Sequence, residues 1–300
     1  MKSTLAPSLW LVIGGVIWGL FWIPLRMLGE AGFQAAWSGF SIYAVSALIM
    51  LPVIVMRARS LWAGGLALLI CGALTGTALS LYATSIYFTD VIRVILLFYL
   101  APVWGTLLGL VFLGERLTWF RVLALVMGLG GLIVVLSPNG AFPRPQGIGD
   151  WMALLSGIAW SLGSLQLYRL QRVAPIDQMI AFIVGGLVVT ALMLALGGDI
   201  MGKTPEISDI QAAWVLILVI GILTLPMFFL TIWPCAYLTP GRVGVLLMSE
   251  VVVAVISAAV LTDETFGLRE ALGTGLIVSA ALVEVAGPFF TRTSKTHKQS

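Results

Sequence analysis

One stretch of about membrane length occurs twice in this chain, and it restricts the possible folds more than any other feature. The first copy, Arg93 to Glu115, reads RVILLFYLAPVWGTLLGLVFLGE, and the second, Arg242 to Glu264, reads RVGVLLMSEVVVAVISAAVLTDE. Each opens on Arg-Val, closes on Glu and is largely apolar between, over the roughly 20 residues that a membrane-spanning helix needs. Only the second copy has a carboxylate near its middle, Glu250. A charge at that depth costs roughly 2.5 to 3.5 kcal/mol on insertion scales, so Glu250 requires a partner or a wet cavity.

Composition indicates that most of this chain faces lipid or other parts of the protein. Charged residues make up 10% of the sequence, and the mean hydropathy is +1.08, whereas soluble domains have about 25% charged residues. The net charge of +3 is small, and no basic patch suggests nucleic acid as a partner. We therefore predict an integral membrane protein.

Apolar runs predict an all-α membrane protein with ten transmembrane helices, separated by short segments that carry turn or charge signals. The predicted spans are 8–26, 34–56, 62–88, 91–113, 119–137, 149–168, 176–197, 212–237, 241–262 and 267–289. Prolines interrupt them at Pro24, Pro52, Pro102, Pro226 and Pro234. Proline removes a helical hydrogen bond, so we predict kinks there and treat the kinked helices as hinge candidates.

The repeat extends beyond the opening pair and has opposite orientation in its two halves. At a spacing of 149 residues GALT at Gly72 recurs as GILT at Gly221, and at a spacing of 142 Trp18 recurs as Trp160. Each half then holds five helices, and because five is odd the second half enters the membrane from the other side. Such inverted repeats are typical of transporters whose substrate site lies near the midplane between the halves.

Orientation follows from the lysine and arginine bias of the connections. With a cytoplasmic N-terminus, eleven of these residues fall on the cytoplasmic side and five on the other. Cytoplasmic loops carry the excess of Lys and Arg. Both termini are therefore predicted in the cytoplasm.

Two segments resemble a known family of membrane transporters. Val111 to Val135, VFLGERLTWFRVLALVMGLGGLIVV, is similar to the ending of each half in the drug/metabolite transporter superfamily, and specifically in its ten-helix EamA-type permeases. Leu247 to Glu264 is similar to the second-half pattern of that family, except that Val251 stands in place of a proline and Thr262-Asp263-Glu264 in place of Leu-Gly-Glu.

The resemblance covers nearly the full length and implies two EamA-type five-helix repeats, residues 1–140 and residues 141–300, the latter with a cytoplasmic tail. The Trp18 to Trp22 run and the aromatic third and fourth helices are similar to the bacterial aromatic amino-acid exporters of the YddG type. This likeness implies a multi-pass protein of a bacterial-type inner membrane.

Residues at membrane depth with aromatic, hydroxyl or carboxyl groups are the candidates for lining a substrate cavity. They are Trp18, Trp22, Tyr82, Tyr99, Trp160, Ser164, Ser249 and Glu250. Buried indole N–H groups need acceptors, which favours a polar cavity around the tryptophans, although helix packing explains the same pattern. Tyrosine and serine hydroxyls at this depth either bind a zwitterion or join helices.

Glu250 has three possible roles. It can bind the ammonium group of an amino acid, it can exchange a proton that couples export to the proton gradient, or it can be a structural group paired with a charge or a backbone donor. Glu284 lies closer to its helix end, so we expect it to snorkel toward the tail.

Four charged residues at helix ends are predicted gates or caps: Arg93, Glu115, Arg242 and Glu264. Cys71 and Cys235 lie in apolar runs and predict neither a disulfide nor a metal site. His297 is the single histidine and lies in the polar tail, which argues against a zinc site or a histidine nucleophile pair. No cofactor is predicted, and no Walker-type sequence indicates ATP.

The sequence thus predicts a secondary transporter that exports amino acids, with aromatic or apolar side chains preferred, by alternating access. Its predicted partners are the small-molecule substrate, the lipid bilayer and, through Glu250, protons. One alternative is an exporter of cationic drugs or other metabolites. Another is a membrane-embedded enzyme, which would need clustered polar residues at one interface.

Overall fold

The computed structural model describes residues 4–89, 91–136, 145–261 and 267–296, and this part of the chain consists of helices and short connections, with no strand. The α-helices are α1 Leu5–Trp18, α2 Trp22–Glu30, α3 Ala36–Met56, α4 Ala58–Ser85, α5 Val91–Phe98, α6 Ala101–Leu113, α7 Trp119–Leu136, α8 Ile148–Arg169, α9 Pro175–Gly197, α10 Ile207–Cys235, α11 Pro240–Leu247, α12 Ser249–Leu261 and α13 Leu268–Thr296. A short 3₁₀ helix, Gly198–Met201, follows α9.

Three pairs of consecutive helices each form one broken span, which gives the ten spans that the sequence predicts. The pairs are α1 with α2, α5 with α6, and α11 with α12. Six segments are long and apolar enough to cross a membrane: Leu5–Glu30, Ala36–Met56, Ala58–Ser85, Arg93–Leu113, Pro175–Met201 and Ile207–Cys235. Their outward side chains are apolar, as lipid requires, and their buried polar residues are mostly serines and threonines.

The helix breaks agree with the proline pattern only in part. Pro102 lies at the start of α6, directly after the break at Tyr99 and Leu100, as predicted. Pro52 lies inside the continuous helix α3, and the two prolines of α10 do not break that helix. The helices continue through these three prolines, because neighbouring helices and local adjustments satisfy the backbone groups that a proline frees. The kinks expected there stay a prediction.

The first helix of each half packs on helices of the other half. The first helix of the first half, α1, packs on α10, α11 and α12, while the first helix of the second half, α8, packs on α4, α5 and α6. Two pairs of equivalent helices contact each other directly, α3 with α9 and α7 with α13, and α6 packs on α11. The broken helices also agree, since α5 and α11 begin and end 149 residues apart. The fold is therefore a two-fold arrangement of two five-helix repeats.

Side-chain contacts show that the repeats run in opposite directions. Thr89, which follows α4, donates to Asp150 at the start of α8. Thr239, which precedes α11, contacts Arg121 near the start of α7. Arg93 lies near the start of α5, at the end of the bundle that holds Asp150, so α5 and α6 carry the chain across to the Arg121 end. Equivalent loops of the two halves therefore lie at opposite ends.

Candidate functional site

A cavity lies in the middle of the bundle, between the two halves. The space between its side chains is about 520 Å³, including the part that is open to solvent. Its walls consist of Trp18, Ala78, Leu79, Tyr82, Phe98, Trp160, Phe182, Phe228, Thr231, Ile232, Leu247 and Glu250. These residues come from α1, α4 and α5 of the first half and from α8 to α12 of the second.

The wall residues are related by the internal repeat, so the cavity sits on the pseudo-two-fold axis. Four pairs of equivalent positions face it: Trp18 with Trp160, Leu79 with Phe228, Tyr82 with Thr231, and Phe98 with Leu247. The aromatic members form continuous walls. Ring centroids are 4.8 Å apart both for Tyr82 with Phe98 and for Phe182 with Phe228.

The carboxyl group in the cavity breaks this symmetry. Glu250 lies in the first turn of α12, directly after the break that ends α11. Its equivalent in the first half is Ala101, so the cavity has a carboxyl group on one side only. Tyr99 lies behind it, donating to the Leu247 carbonyl at 3.1 Å and lying close to the Glu250 carboxyl. Tyr82 faces the same carboxyl from α4.

The three tryptophans predicted to line the cavity differ in the hydrogen-bond partners of their indole N–H groups. Trp18 Nε1 donates to the Thr231 hydroxyl at 2.7 Å across the cavity wall. Trp22 begins α2 and donates to Ser257 of α12 at 3.1 Å, away from the cavity. Trp160 Nε1 is buried and has no acceptor in the part of the chain that the structure describes. The equivalent pair Trp18 and Trp160 therefore presents one satisfied and one unsatisfied donor.

The structure brings four of the eight predicted cavity residues to the cavity surface: Trp18, Tyr82, Trp160 and Glu250. The Ser164 hydroxyl donates to the Ser161 carbonyl of its own helix at 2.9 Å. The Ser249 hydroxyl donates to the Leu246 carbonyl of α11 at 2.9 Å and lies 3.5 Å from the Val12 carbonyl of α1, so it joins neighbouring helices.

Several wall residues were missed by the sequence analysis. Phe182, an apolar residue in an apolar run, carries no distinguishing signal. Thr231, Phe228 and Leu247 could have been found, because each lies 149 residues after a residue that also lines the cavity.

Each end of the bundle has an ion pair between an arginine and a buried aspartate. Arg93 bonds both oxygens of Asp150, and Asp150 also accepts from the Thr89 hydroxyl at 2.7 Å and the Gln146 amide at 2.8 Å. At the other end Arg57 pairs with Asp177 of α9. The hydrogen bond with Asp177 raises the pKa of Arg57 above its ordinary value. The sequence analysis did not single out either aspartate.

The end that carries Arg57 also has a network around Arg121. Arg121 bonds Glu115 at 2.7 Å, Glu284 at 3.5 Å and Thr239 at 3.4 Å. Glu284 is 5% exposed and faces this arginine, so the expectation that it snorkels toward the tail was wrong. The charge-assisted contact with Arg121 offsets part of the cost of burying this carboxylate. Arg242 lies at this end too, bonding Thr4 at 3.3 Å, whereas Glu264 lies outside the described residues.

Cys71 and Cys235 are both free and buried in apolar surroundings. Within the described residues, no group of three or more His, Cys, Asp or Glu side chains could hold a metal ion.

The fold and its central cavity are those of a membrane carrier. The sequence pattern of the EamA-like transporter family matches residues 5–137 and 147–285. A crystal structure of another protein matches 94% of this chain and 96% of its own with a TM-score of 0.72. That likeness concerns the fold, because the sequence identity is 20%.

This chain belongs to the EamA-like transporter family, within the drug/metabolite transporter superfamily. It is thus a multi-pass membrane protein that transports a small molecule, and family membership sets aside the alternative of a membrane-embedded enzyme.

Proposed function

We propose that this protein is a secondary transporter that exports amino acids with aromatic or apolar side chains across a bacterial-type inner membrane by alternating access. The observation that carries the proposal is the central cavity, which joins aromatic walls from both halves to a single carboxyl group. A substrate that fits such a site has a flat or apolar body and one cationic group.

The walls support an aromatic or apolar body. Trp18, Phe98 and Trp160 offer ring surfaces from three different helices. Aromatic pairs gain about 0.5–1.5 kcal/mol beyond their area burial. A substrate ring between these residues would therefore gain both from desolvation and from ring contacts.

Glu250 supports recognition of an ammonium group. Its carboxyl faces a largely apolar cavity, with the hydroxyls of Tyr82 and Tyr99 near it. A charged carboxylate in that setting needs a cation or a proton. We propose that the substrate ammonium and a proton alternate at this carboxyl, which couples export to the proton gradient.

The proposal includes an orientation and a division of the chain. Both termini lie in the cytoplasm, and the repeats are residues 1–140 and 141–300. In this orientation Arg57, Arg121 and Arg242 belong to the cytoplasmic end, while Arg93 belongs to the opposite end, in keeping with the excess of Lys and Arg in cytoplasmic loops. Substrate then enters the cavity past Arg121 and Arg242.

Counterflow in liposomes with a panel of labelled amino acids at two pH values tests the function. We expect exchange of tryptophan, phenylalanine and leucine, with little exchange of aspartate or lysine. Glu250→Gln should abolish the pH dependence, and Glu30→Gln is the matched control because Glu30 lies on the surface in an exposed pair with Arg26. Full activity of Glu250→Gln with an unchanged pH profile would remove the coupling role.

A second candidate function is export of organic cations, and the same cavity favours it. A carboxylate surrounded by aromatic rings attracts cations through charge and cation–π interaction, whether or not the cation also has a carboxylate. Counterflow with tryptamine, which lacks the carboxylate of tryptophan, separates the two. Exchange of tryptamine without exchange of tryptophan would favour the second candidate.

A further inference from the structure

Arg93 and Arg242 occupy the same position in the two repeats but have different partners. They lie 149 residues apart, near the starts of the equivalent helices α5 and α11. Each faces the beginning of the first helix of the other half: Arg93 contacts α8, and Arg242 contacts the residue before α1. The repeat therefore allows the surroundings of the two guanidinium groups to be compared directly.

The Arg93 position is completed by a carboxylate of the protein itself. Asp150 accepts from two nitrogens of Arg93, in the paired arrangement that a guanidinium favours with a carboxylate. The Thr89 hydroxyl and the Gln146 amide also donate to Asp150, so its oxygens have several donors.

The Arg242 position lacks such a carboxylate. Its hydrogen bond goes from Nη1 to the Thr4 hydroxyl at 3.3 Å. Arg242 is 7% exposed, and its Nε has no acceptor in the described part of the chain. Glu284 lies beyond ion-pair distance of Arg242 and bonds Arg121 instead, which in turn bonds Glu115. A buried cation with an unsatisfied donor is costly, and an incoming carboxylate would relieve that cost.

We propose that Arg242 is a binding site for the carboxylate group of the substrate, at the end of the bundle where substrate enters. In the other half, the equivalent arginine Arg93 binds the carboxylate of Asp150, so an arginine at this position of the repeat can bind a carboxylate. The naming of the substrate as an amino acid rests on the proposed function, whereas the carboxylate site itself rests on the contacts of Arg242.

The position of Arg242 connects this site to the cavity. Arg242 and Leu247 lie on α11, and Leu247 lines the cavity wall. Five residues of helix correspond to about 7.5 Å. A substrate whose carboxylate is held at Arg242 is therefore close to the cavity but not yet in it. The carboxylate and ammonium groups of an α-amino acid are on the same carbon, so the substrate leaves Arg242 and moves along α11 before Glu250 receives its ammonium group. This two-step recognition selects compounds that carry a carboxylate, and it rejects plain amines at entry.

Thr4→Asp tests the site by supplying a carboxylate from the protein, as Asp150 does in the other half. Thr4 is the N-cap residue of α1, and its side chain makes no capping hydrogen bond. Asp and Asn are both favourable at this position, so both variants should fold. The asparagine of Thr4→Asn has the shape of the aspartate without its charge. The difference between the two variants therefore measures the effect of the carboxylate charge.

The first readout is thermal unfolding of the purified protein with sodium benzoate, compared with sodium chloride at the same ionic strength. We expect benzoate to raise the unfolding temperature of the wild type and of Thr4→Asn and to have no effect on Thr4→Asp. Equal benzoate effects on the two variants, or no effect on the wild type, would overturn the carboxylate site. This measurement does not depend on which substrate is transported.

The second readout is the apparent KM for L-tryptophan from the Arg242 side in oriented liposomes. We expect Thr4→Asp to raise it roughly tenfold relative to Thr4→Asn, as loss of a charge-assisted bond predicts. Arg116→Gln, an exposed arginine at the same end, is the unaffected control. Equal KM values for the two Thr4 variants would overturn the entry role of Arg242. No tryptophan transport by the wild type would contradict the proposed function instead.

Discussion

The crossing of α6 and α11 should not tolerate a single added methyl group. Gly105 of α6 lies against the backbone of Pro240, and a Cβ built on Gly105 would be 2.7 Å from both the carbonyl carbon and the carbonyl oxygen of Pro240. Ordinary contacts begin near 3.4 Å, so Gly105→Ala requires the helices to separate by roughly 0.7 Å. Because the obstructing atoms are backbone, no rotamer change can relieve the clash. Overpacking of this kind destabilises by about 1–3 kcal/mol.

The assay for Gly105→Ala is thermal unfolding in detergent, together with transport in liposomes. The matched control is Gly130→Ala on α7, where a Cβ would meet nothing within 4 Å. Alanine is the better helix former by about 1 kcal/mol, so the control should be as stable as the wild type or more so. We expect Gly105→Ala to unfold several degrees below the control and to transport more slowly, since α11 carries the cavity residue Leu247. Equal stability of the two variants would refute close backbone packing at this crossing.

Two further predictions concern buried polar contacts. Trp18→Phe removes the hydrogen bond to Thr231 and should destabilise the protein by about 1 kcal/mol. Trp160→Phe removes no hydrogen bond to the described residues, so it should have a smaller effect on thermal unfolding. The reverse order of the two effects would contradict the assignment of these donors. Arg121→Gln leaves Glu284 buried without its cation and should destabilise by about 3–5 kcal/mol, with partial recovery in the double variant with Glu284→Gln. If the double variant is no more stable than Arg121→Gln, the pair is not coupled.

Local features of the sequence were sufficient to predict the ten spans and the helix break before Pro102. Length, hydropathy and the proline ring act within one helix, so they are visible without neighbours. The break between α11 and α12 at Met248 has no proline and was not predicted. It lies at the equivalent of Tyr99 in the first half, so comparison of the repeats would have indicated it.

The cavity could be predicted in outline and not in detail. The pair Trp18 and Trp160 and the carboxylate Glu250 stand out in an apolar sequence, because tryptophan and charge are rare at membrane depth. Phe182 does not stand out, since an apolar residue in a membrane helix faces either lipid or a cavity. Which of the two it faces depends on the rotation of α9 against α4 and α10.

By itself, the sequence determined that the chain crosses the membrane repeatedly and that its halves are related by inversion. Those properties follow from the free energy of transferring apolar segments into lipid and from counting an odd number of spans. Only the tertiary structure decided the partners of the charged residues. It placed Asp150 against Arg93, left Arg242 with the Thr4 hydroxyl, and turned Glu284 inward to Arg121. Pairing of buried charges depends on distances of a few ångströms between helices that are far apart in sequence, and no local pattern records those distances.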